Sequence, residues 1–159
     1  MKKVLVVLVV MAGILGLTGC EKVNGKYKEG TYFGSVETDS YGAKFVTTAV
    51  LYIDKTGTIK SCFIDSTYNK NSVSSTKKTL GDDYGMKTIS ASNGNIEGGA
   101  EWYEQVEVIE KKIIDEQGID WVKWSNDEQT KLDAVSGVTI AADSYISAVS
   151  KALEQAKNS

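Results

Sequence analysis

Residues 133–139 combine a turn signal with hydroxyl side chains, just before an apolar helical pattern. They read Asp-Ala-Val-Ser-Gly-Val-Thr. Ser136 and Gly137 favour a tight, exposed turn in which the backbone can come close to a ligand. Thr139 adds a hydroxyl at the edge of that turn. Two small alanines follow and begin a predicted helix, whose free N–H groups and positive dipole end would favour a phosphate beside Thr139.

A purely structural interpretation of the same residues stays open. Ser136 or Thr139 could simply cap the helix by accepting hydrogen bonds from its first N–H groups. The chain has no histidine to activate a hydroxyl, and threonine alone is a weak nucleophile near neutral pH. No lysine stands at the Ser-x-x-Lys spacing from Ser136. The sequence therefore argues against an independent hydrolase or transferase.

Two amphipathic helices are predicted near this segment. The first begins near Trp102 and is stopped by Gly118, with acidic residues in its first turn and lysines in its last. The second is predicted from Ala141 to Ala156. Apolar residues at helical spacing mark the buried face of the first helix: Trp102, Val106, Ile109 and Ile113.

The N-terminal half of the domain predicts strands. Residues 30–37, 45–53 and 58–65 are rich in β-branched and aromatic side chains. Residues 54–57, Asp-Lys-Thr-Gly, predict the turn of a hairpin between the second and third strands. Residues 69–79 are polar and are interpreted mostly as loop. Strands followed by helices favour a single α+β domain with an antiparallel sheet over residues 30–159.

Composition narrows the function further. The 159 residues are 25% charged and 42% hydrophobic, which is typical of a globular protein. The net charge is −3 and every basic residue is a lysine, so nothing favours nucleic-acid binding. Without histidine there is no His-ligated metal or haem. The acids Asp82, Asp83, Asp127 and Glu128 match no calcium-loop spacing, and no metal site is predicted.

The N-terminus is typical of a secretion signal. Lys2 and Lys3 precede an uncharged apolar run from residue 4 to residue 17, which is shorter than the about 20 residues of a membrane-spanning helix. Its end, Leu-Thr-Gly-Cys20, resembles the lipobox of bacterial lipoproteins, in which the cysteine is lipidated. We expect a signal peptide over residues 1–19 and a lipid-anchored tether over 20–29. An ordinary signal peptide with an incidental cysteine is the alternative.

The segment around Thr139 resembles the FMN-binding domain family. That family includes the C subunit of the sodium-pumping NADH:quinone reductase, the G subunit of the Rnf complex and small flavinylated surface lipoproteins. The pattern of that family is Asp, two variable residues, Ser or Thr, Gly, usually Ala, then Thr. This chain matches it at Asp133, Ser136, Gly137 and Thr139. Val138 stands where the family usually has alanine. The resemblance implies that Thr139 carries FMN through a phosphoester bond, installed from FAD by a separate flavin transferase.

The resemblance extends beyond the motif. Residues 81–87 and 101–105 are similar to the small lipoproteins of this family, and Tyr84 and Met86 are candidate contacts of the flavin ring. It implies an electron carrier, not an enzyme, on the extracytoplasmic face of a bacterial membrane. Its electron donor would be a membrane dehydrogenase or quinol. Packing is the preferred interpretation for the remaining distinctive side chains, Trp102, Trp121, Trp124 and Cys62.

Two alternatives from other functional classes stay open. Val138 motivates a non-redox binding lipoprotein, which keeps the fold and binds a cell-wall component, a solute or a protein without flavin. The other is reversible FMN binding without a covalent bond.

Overall fold

Four antiparallel strands form one sheet, in which the spatial order follows the order along the chain. The computed structural model describes residues 25–40, 42–70, 73–92, 96–133 and 135–158. The strands are β1 (Gly30–Ser40), β2 (Ala43–Ile53), β3 (Ile59–Lys70) and β4 (Val73–Thr76); the helices are α1 (Lys77–Leu80), α2 (Lys87–Ser92), α3 (Trp102–Asp115) and α4 (Asp143–Asn158), with a 3₁₀ turn at Gly81–Tyr84.

The β2–β3 hairpin is built by local side-chain chemistry, and its prediction is confirmed. The Asp54 carboxylate accepts hydrogen bonds from the backbone N–H and hydroxyl of Thr56 and from the N–H of Thr58. These bonds, led by the Thr56 hydroxyl, lower the pKa of Asp54 to about 2. Gly57 adopts φ +76°, which a residue with a Cβ rarely takes.

One face of the sheet and two helices enclose the core. Alternation along β2 buries Ala49, Leu51 and Ile53. The helices α3 and α4 pack on this face, because each presents an apolar stripe at helical spacing. The buried helical side chains include Trp102, Val106, Ile109 and Ile113 from α3 and Ala148, Val149, Ala152 and Leu153 from α4.

Side chains from α3 and from the loop just after it cover the part of the β3 edge that does not pair with β4. The Glu110 carboxylate accepts the Ile64 N–H at 2.5 Å. The Gln117 amide accepts the Ile59 N–H at 2.7 Å and donates to the Ile59 carbonyl at 3.1 Å. The backbone N–H and C=O groups that a further strand would otherwise satisfy are thus hydrogen-bonded to these two side chains.

The opposite edge of the sheet is covered by α4. Gly34 lies so close to this helix that an added Cβ would stand 1.9 Å from the Ala148 carbonyl oxygen. Farther along, the Gln155 side chain donates to the Phe33 carbonyl at 2.7 Å. Glycine at this position therefore sets how closely the last helix approaches the sheet.

The α+β class and the three predicted strands are confirmed, each strand being somewhat longer than expected. The first helix is confirmed too, and Glu101 with Glu104 forms a capping box at its start. The interpretation of residues 69–79 as loop is wrong: the segment ends β3, forms β4 and begins α1. The Thr76 hydroxyl caps α1 by accepting the Thr79 N–H at 3.2 Å. This N-cap was not recognised, because the whole segment is polar and was interpreted as loop.

The packed domain begins before residue 30. Tyr27 is 3% exposed and joins the core, and the Lys28 N–H donates to the Ala156 carbonyl. Residues 25–29 are therefore not a free tether, contrary to expectation. The signal peptide and Cys20 lie outside the described residues. No helix in the described ranges is long and apolar enough to cross a bilayer.

Candidate functional site

The loop before α4 is held in place by a network that surrounds the candidate residues. The Asn126 side-chain oxygen accepts the N–H groups of Thr130 and Lys131. The Thr130 carbonyl in turn accepts the Ala142 N–H at 2.7 Å. Both ends of the segment that carries Thr139 are thereby fixed.

The predicted turn at Ser136 and Gly137 is present. Gly137 adopts φ +82°, and the Val138 N–H donates to the Val135 carbonyl at 3.3 Å. An added Cβ at Gly137 would meet only a side-chain methyl of Val108, at 3.8 Å, so the positive φ is what favours glycine here. Ser136 is exposed, and Val138 packs partly against the core.

A buried glutamine orients Thr139. The Gln105 side-chain oxygen accepts both the backbone N–H of Thr139, at 2.8 Å, and its hydroxyl, at 3.1 Å. The Gln105 side-chain nitrogen donates to the Ala100 carbonyl at 3.3 Å and lies 3.6 Å from the Met86 sulfur. Because Gln105 is fully buried, these partners define which end of the amide faces Thr139.

The support beneath Gln105 is also hydrogen-bonded. The Glu101 carboxylate accepts the N–H groups of Met86 and Lys87, at 2.8 and 3.0 Å. The Ser90 hydroxyl exchanges hydrogen bonds with the backbone of Ala100. The loop that carries Met86 is thus attached to the first turn of α3, which also carries Gln105.

Thr139 opens onto a cleft of about 470 Å³. Among residues whose positions are described, the backbone N–H groups of Ser136 and Gly137 have no hydrogen-bonding partner. Lys131 brings a cationic side chain to the same wall. Free N–H groups and an ammonium group are donors suited to an anion such as a phosphoester. We call this the threonine cleft; it is lined by Ser125, Lys131, Val135, Ser136, Gly137 and Thr139, among others.

A second cleft, of about 510 Å³, lies beside the first residues of α4. Burial raises the pKa of Tyr145 to about 12 and also raises that of Tyr84. The indole N–H of Trp102 donates to the Tyr145 hydroxyl at 2.9 Å. We call this the aromatic cleft; its lining includes Phe45, Tyr68, Lys77, Tyr84, Asp143 and Tyr145.

The structure brings only some of the predicted site residues together. Ser136, Gly137 and Thr139 line the threonine cleft, and Met86 reaches Thr139 through Gln105. Tyr84 lines the aromatic cleft instead. Asp133 is exposed at the surface, and its backbone N–H donates to the Lys123 carbonyl.

Two expectations about the start of the last helix need correction. The helix begins at Asp143, two residues after Ala141. Ala142 immediately precedes it: its carbonyl accepts the Ile146 N–H, and its N–H donates to the Thr130 carbonyl. The capping alternative is also wrong for Thr139: within the described ranges, its hydroxyl accepts no hydrogen bond from the first N–H groups of α4 and instead donates to Gln105. Within the described ranges, Ser136 makes no hydrogen bond to the first amides of α4 either.

The packing interpretation of the other distinctive residues is confirmed. Trp102 is 1% exposed, while Trp121 and Trp124 are half-buried against the core. Cys62 is buried, and burial raises the pKa of its thiol.

Sequence reasoning missed Gln105 and Lys77. Gln105 stands three residues after Trp102, on the buried face of α3, and a polar residue in an apolar stripe is the signal that could have found it. Lys77 lies in the segment interpreted as loop and carries no such signal.

Comparison of the chain with known protein families, curated proteins and solved structures gave no match.

Proposed function

We propose that Thr139 carries covalently attached FMN and that the chain is a membrane-anchored, extracytoplasmic electron carrier. The observation that carries the proposal is the Thr139 hydroxyl, which fully buried Gln105 holds at the wall of an open polar cleft. The Ser-Gly turn and the spacing from Asp133 to Thr139 supply the resemblance to the FMN-binding domain family.

The threonine cleft suits the phosphate end of this group. Lys131 and the free N–H groups of Ser136 and Gly137 are donors that a phosphoester on Thr139 would need. FMN, when bound, would supply the electron-accepting and electron-donating chemistry. The residues of the chain would hold its phosphate, restrict its position and shape the polarity around it.

The attachment step requires an external catalyst. Among the described residues, the only side chain hydrogen-bonded to the Thr139 hydroxyl is the amide of Gln105. An amide oxygen accepts a hydrogen bond but is not a base that could remove the proton. A separate flavin transferase would have to remove that proton and transfer FMN from FAD to the Thr139 oxygen, which breaks the pyrophosphate bond of FAD and releases AMP. This requirement agrees with the proposal of a carrier, not an enzyme.

The remaining parts of the proposal concern location and partners. Cys20 would carry lipid on the extracytoplasmic face of a bacterial membrane, and a membrane dehydrogenase or quinol would donate the electrons. Since the described domain begins at Gly25, with Tyr27 already packed in the core, only a few residues would separate it from the lipid. The carrier would therefore work close to the membrane surface.

The test is expression of the full chain with and without a flavin transferase, followed by intact mass and in-gel fluorescence under denaturing conditions. The wild type should gain one FMN increment only with the transferase. Thr139→Ala should gain none, whereas Ser125→Ala, which removes another hydroxyl of the threonine cleft, should be loaded normally.

Two other outcomes identify the alternatives. Yellow protein that loses all fluorescence on denaturation would indicate reversible FMN binding. Colourless wild-type protein beside an active transferase would leave a non-redox binding lipoprotein, and the carrier proposal would be wrong.

A further inference from the structure

The aromatic cleft has ring faces and edges on several sides. Phe45 and Tyr68 stack with their ring centroids 6.2 Å apart and an interplanar angle of 26°. Tyr68 and Tyr84 meet edge to face at 5.0 Å. Both arrangements leave aromatic surface toward a cleft large enough for a small ligand.

One cation stands among these rings. The Lys77 ammonium lies 5.8 Å from the Phe45 ring centroid, 5.4 Å from that of Tyr84 and 5.1 Å from that of Trp102. It has no hydrogen bond or ion pair with any residue that the structure describes. Its neighbour Lys78 differs, because it forms an ion pair with Glu110 at 2.7 Å.

The aromatic rings stabilise the charge of Lys77 less than the water that they exclude would. Burial lowers the pKa of Lys77 to about 8, and the more distant Asp65 opposes this shift. Asp65 itself accepts the N–H groups of Ser66 and Lys78, so its charge is engaged elsewhere. A cation that is poorly solvated and lacks a close counter-charge would gain from an anionic ligand.

The acids of the same cleft do not neutralise Lys77. Asp39 and Asp143 both line it, but neither forms an ion pair with the ammonium in the described structure. A hydroxyl group network stands beside them: the Thr47 hydroxyl lies 3.3 Å from that of Ser66 and 3.4 Å from that of Ser144. The cleft therefore offers polar donors as well as rings. Its lining holds two carboxylates and one ammonium, so it favours an anionic ligand only where the charge of that ligand meets Lys77.

We propose that the aromatic cleft binds a planar aromatic anion, whose ring packs against Tyr68 and Tyr84 and whose charge pairs with Lys77. A neutral aromatic ligand would use the rings but leave the cation without a counter-charge. An inorganic anion would use the cation but leave the rings exposed. Only a ligand with both properties satisfies both sets of groups.

Such a ligand could come from two sources. One is a free aromatic acid from the surroundings. The other is the flavin ring of FMN on Thr139, which is neutral when oxidised and an anion when fully reduced near neutral pH. Ala141 lines the aromatic cleft and lies within about 7 Å of Thr139 along the backbone. Only the second source rests on the proposed function, so the site can be tested on protein that carries no flavin.

The test uses 2-naphthalenesulfonate as the anionic probe and 2-naphthalenesulfonamide as its neutral counterpart. Each is titrated by calorimetry into the full chain, purified in micelles from cells without a flavin transferase, and a micelle blank is subtracted. The sulfonate should bind at least tenfold more tightly than the sulfonamide. Lys77→Met should lose that preference, whereas Lys87→Met, which changes an exposed lysine outside the cleft, should keep it.

A wild type that binds neither probe, or both equally, would overturn the proposal, as would a Lys77→Met variant that retains the preference. Near-ultraviolet circular dichroism shows whether that variant is folded, and the comparison of the two probes in the wild type does not depend on it. Titration of the flavin-loaded chain then separates the sources. Weaker sulfonate binding would place the tethered ring in the cleft, and unchanged binding would indicate a free aromatic acid.

Discussion

Replacing Gln105 tests whether the buried amide positions the Thr139 hydroxyl. In Gln105→Leu the side-chain volume is nearly kept, but the acceptor for the Thr139 N–H and hydroxyl is lost, together with the donor to the Ala100 carbonyl. We expect lower stability and slower flavin attachment. The lower stability comes from the lost hydrogen bonds, and the slower attachment comes from a hydroxyl that is no longer held in one direction.

The size of the effect follows from the bonds that are lost. Each hydrogen bond contributes about 1 kcal/mol net, and an unsatisfied polar group adds to the cost where water cannot reach it. Thr139 and Ala100 are only half-buried, so water can compensate in part. The free energy of unfolding should therefore fall by about 2–3 kcal/mol in Gln105→Leu. Thr139→Val, which removes the hydroxyl bond alone, should cost about 1 kcal/mol.

The assay is chemical denaturation of the unmodified wild type, the two single variants and the double variant. Because both single changes break the same hydroxyl bond, the double variant should recover about 1 kcal/mol relative to the sum of the two losses. Initial rates of flavin incorporation by the transferase then give the functional effect. Gln105→Leu should be loaded several-fold more slowly than the wild type.

Two results would refute the reasoning. Strictly additive losses would mean that Gln105 and Thr139 are not energetically coupled. A normal rate of flavin loading in a folded Gln105→Leu protein would mean that the transferase does not need the hydroxyl in this orientation.

Three further predictions concern stability. Between pH 8 and 10.5 Lys77 is largely neutral in the folded protein and charged in the unfolded chain, so the free energy of unfolding of the wild type should rise with pH. The rise should be about 3 kcal/mol at most. Lys77→Met should lose it in denaturation curves measured across that pH range. Gly34→Ala should force the backbone of β1 away from the Ala148 carbonyl and cost at least about 2 kcal/mol in the free energy of unfolding. Glu110→Ala should cost about 2–4 kcal/mol by the same measurement, because it leaves the half-buried Lys78 ammonium and the Ile64 N–H without their acceptor.

Each of these changes has a matched control. Lys87→Met removes an exposed lysine and should leave the pH dependence unchanged. Gly85→Ala places a Cβ in open space, so it should carry only the cost of its positive φ. Asp115→Ala breaks an exposed ion pair on α3 and should change stability by less than about 1 kcal/mol. A control variant that changed the free energy of unfolding, or its pH dependence, as much as its test variant would contradict the corresponding explanation.

The features that the sequence predicted are those determined by neighbouring residues. Alternation defined β2, helical spacing defined α3, and the Asp-Lys-Thr-Gly turn defined the hairpin. The turn at Ser136 and Gly137 belongs to the same class, because its geometry depends on a glycine with positive φ. Such features need no knowledge of what packs against them.

The features that were missed depend on distant parts of the chain. The segment before α4 is fixed by a hydrogen bond from the Ala142 N–H to the Thr130 carbonyl, which no local propensity reveals. Lys77 acquires its aromatic surroundings only when rings from β2, the 3₁₀ turn and α3 converge on it. Tyr84 lines the same cleft as Lys77, beside the cleft of Thr139, and this placement also depends on the fold.

The first turn of α3 supplies hydrogen-bonding side chains to both clefts. Trp102 and Gln105 are three residues apart and so lie on one face of the helix. Trp102 donates to the Tyr145 hydroxyl in the aromatic cleft, and Gln105 accepts from Thr139 in the threonine cleft. The capping box at Glu101 fixes the same turn against the loop of Met86. A group attached to Thr139 and a ligand in the aromatic cleft would therefore be held by one rigid element, so a change that tilts this turn should disturb both sites together.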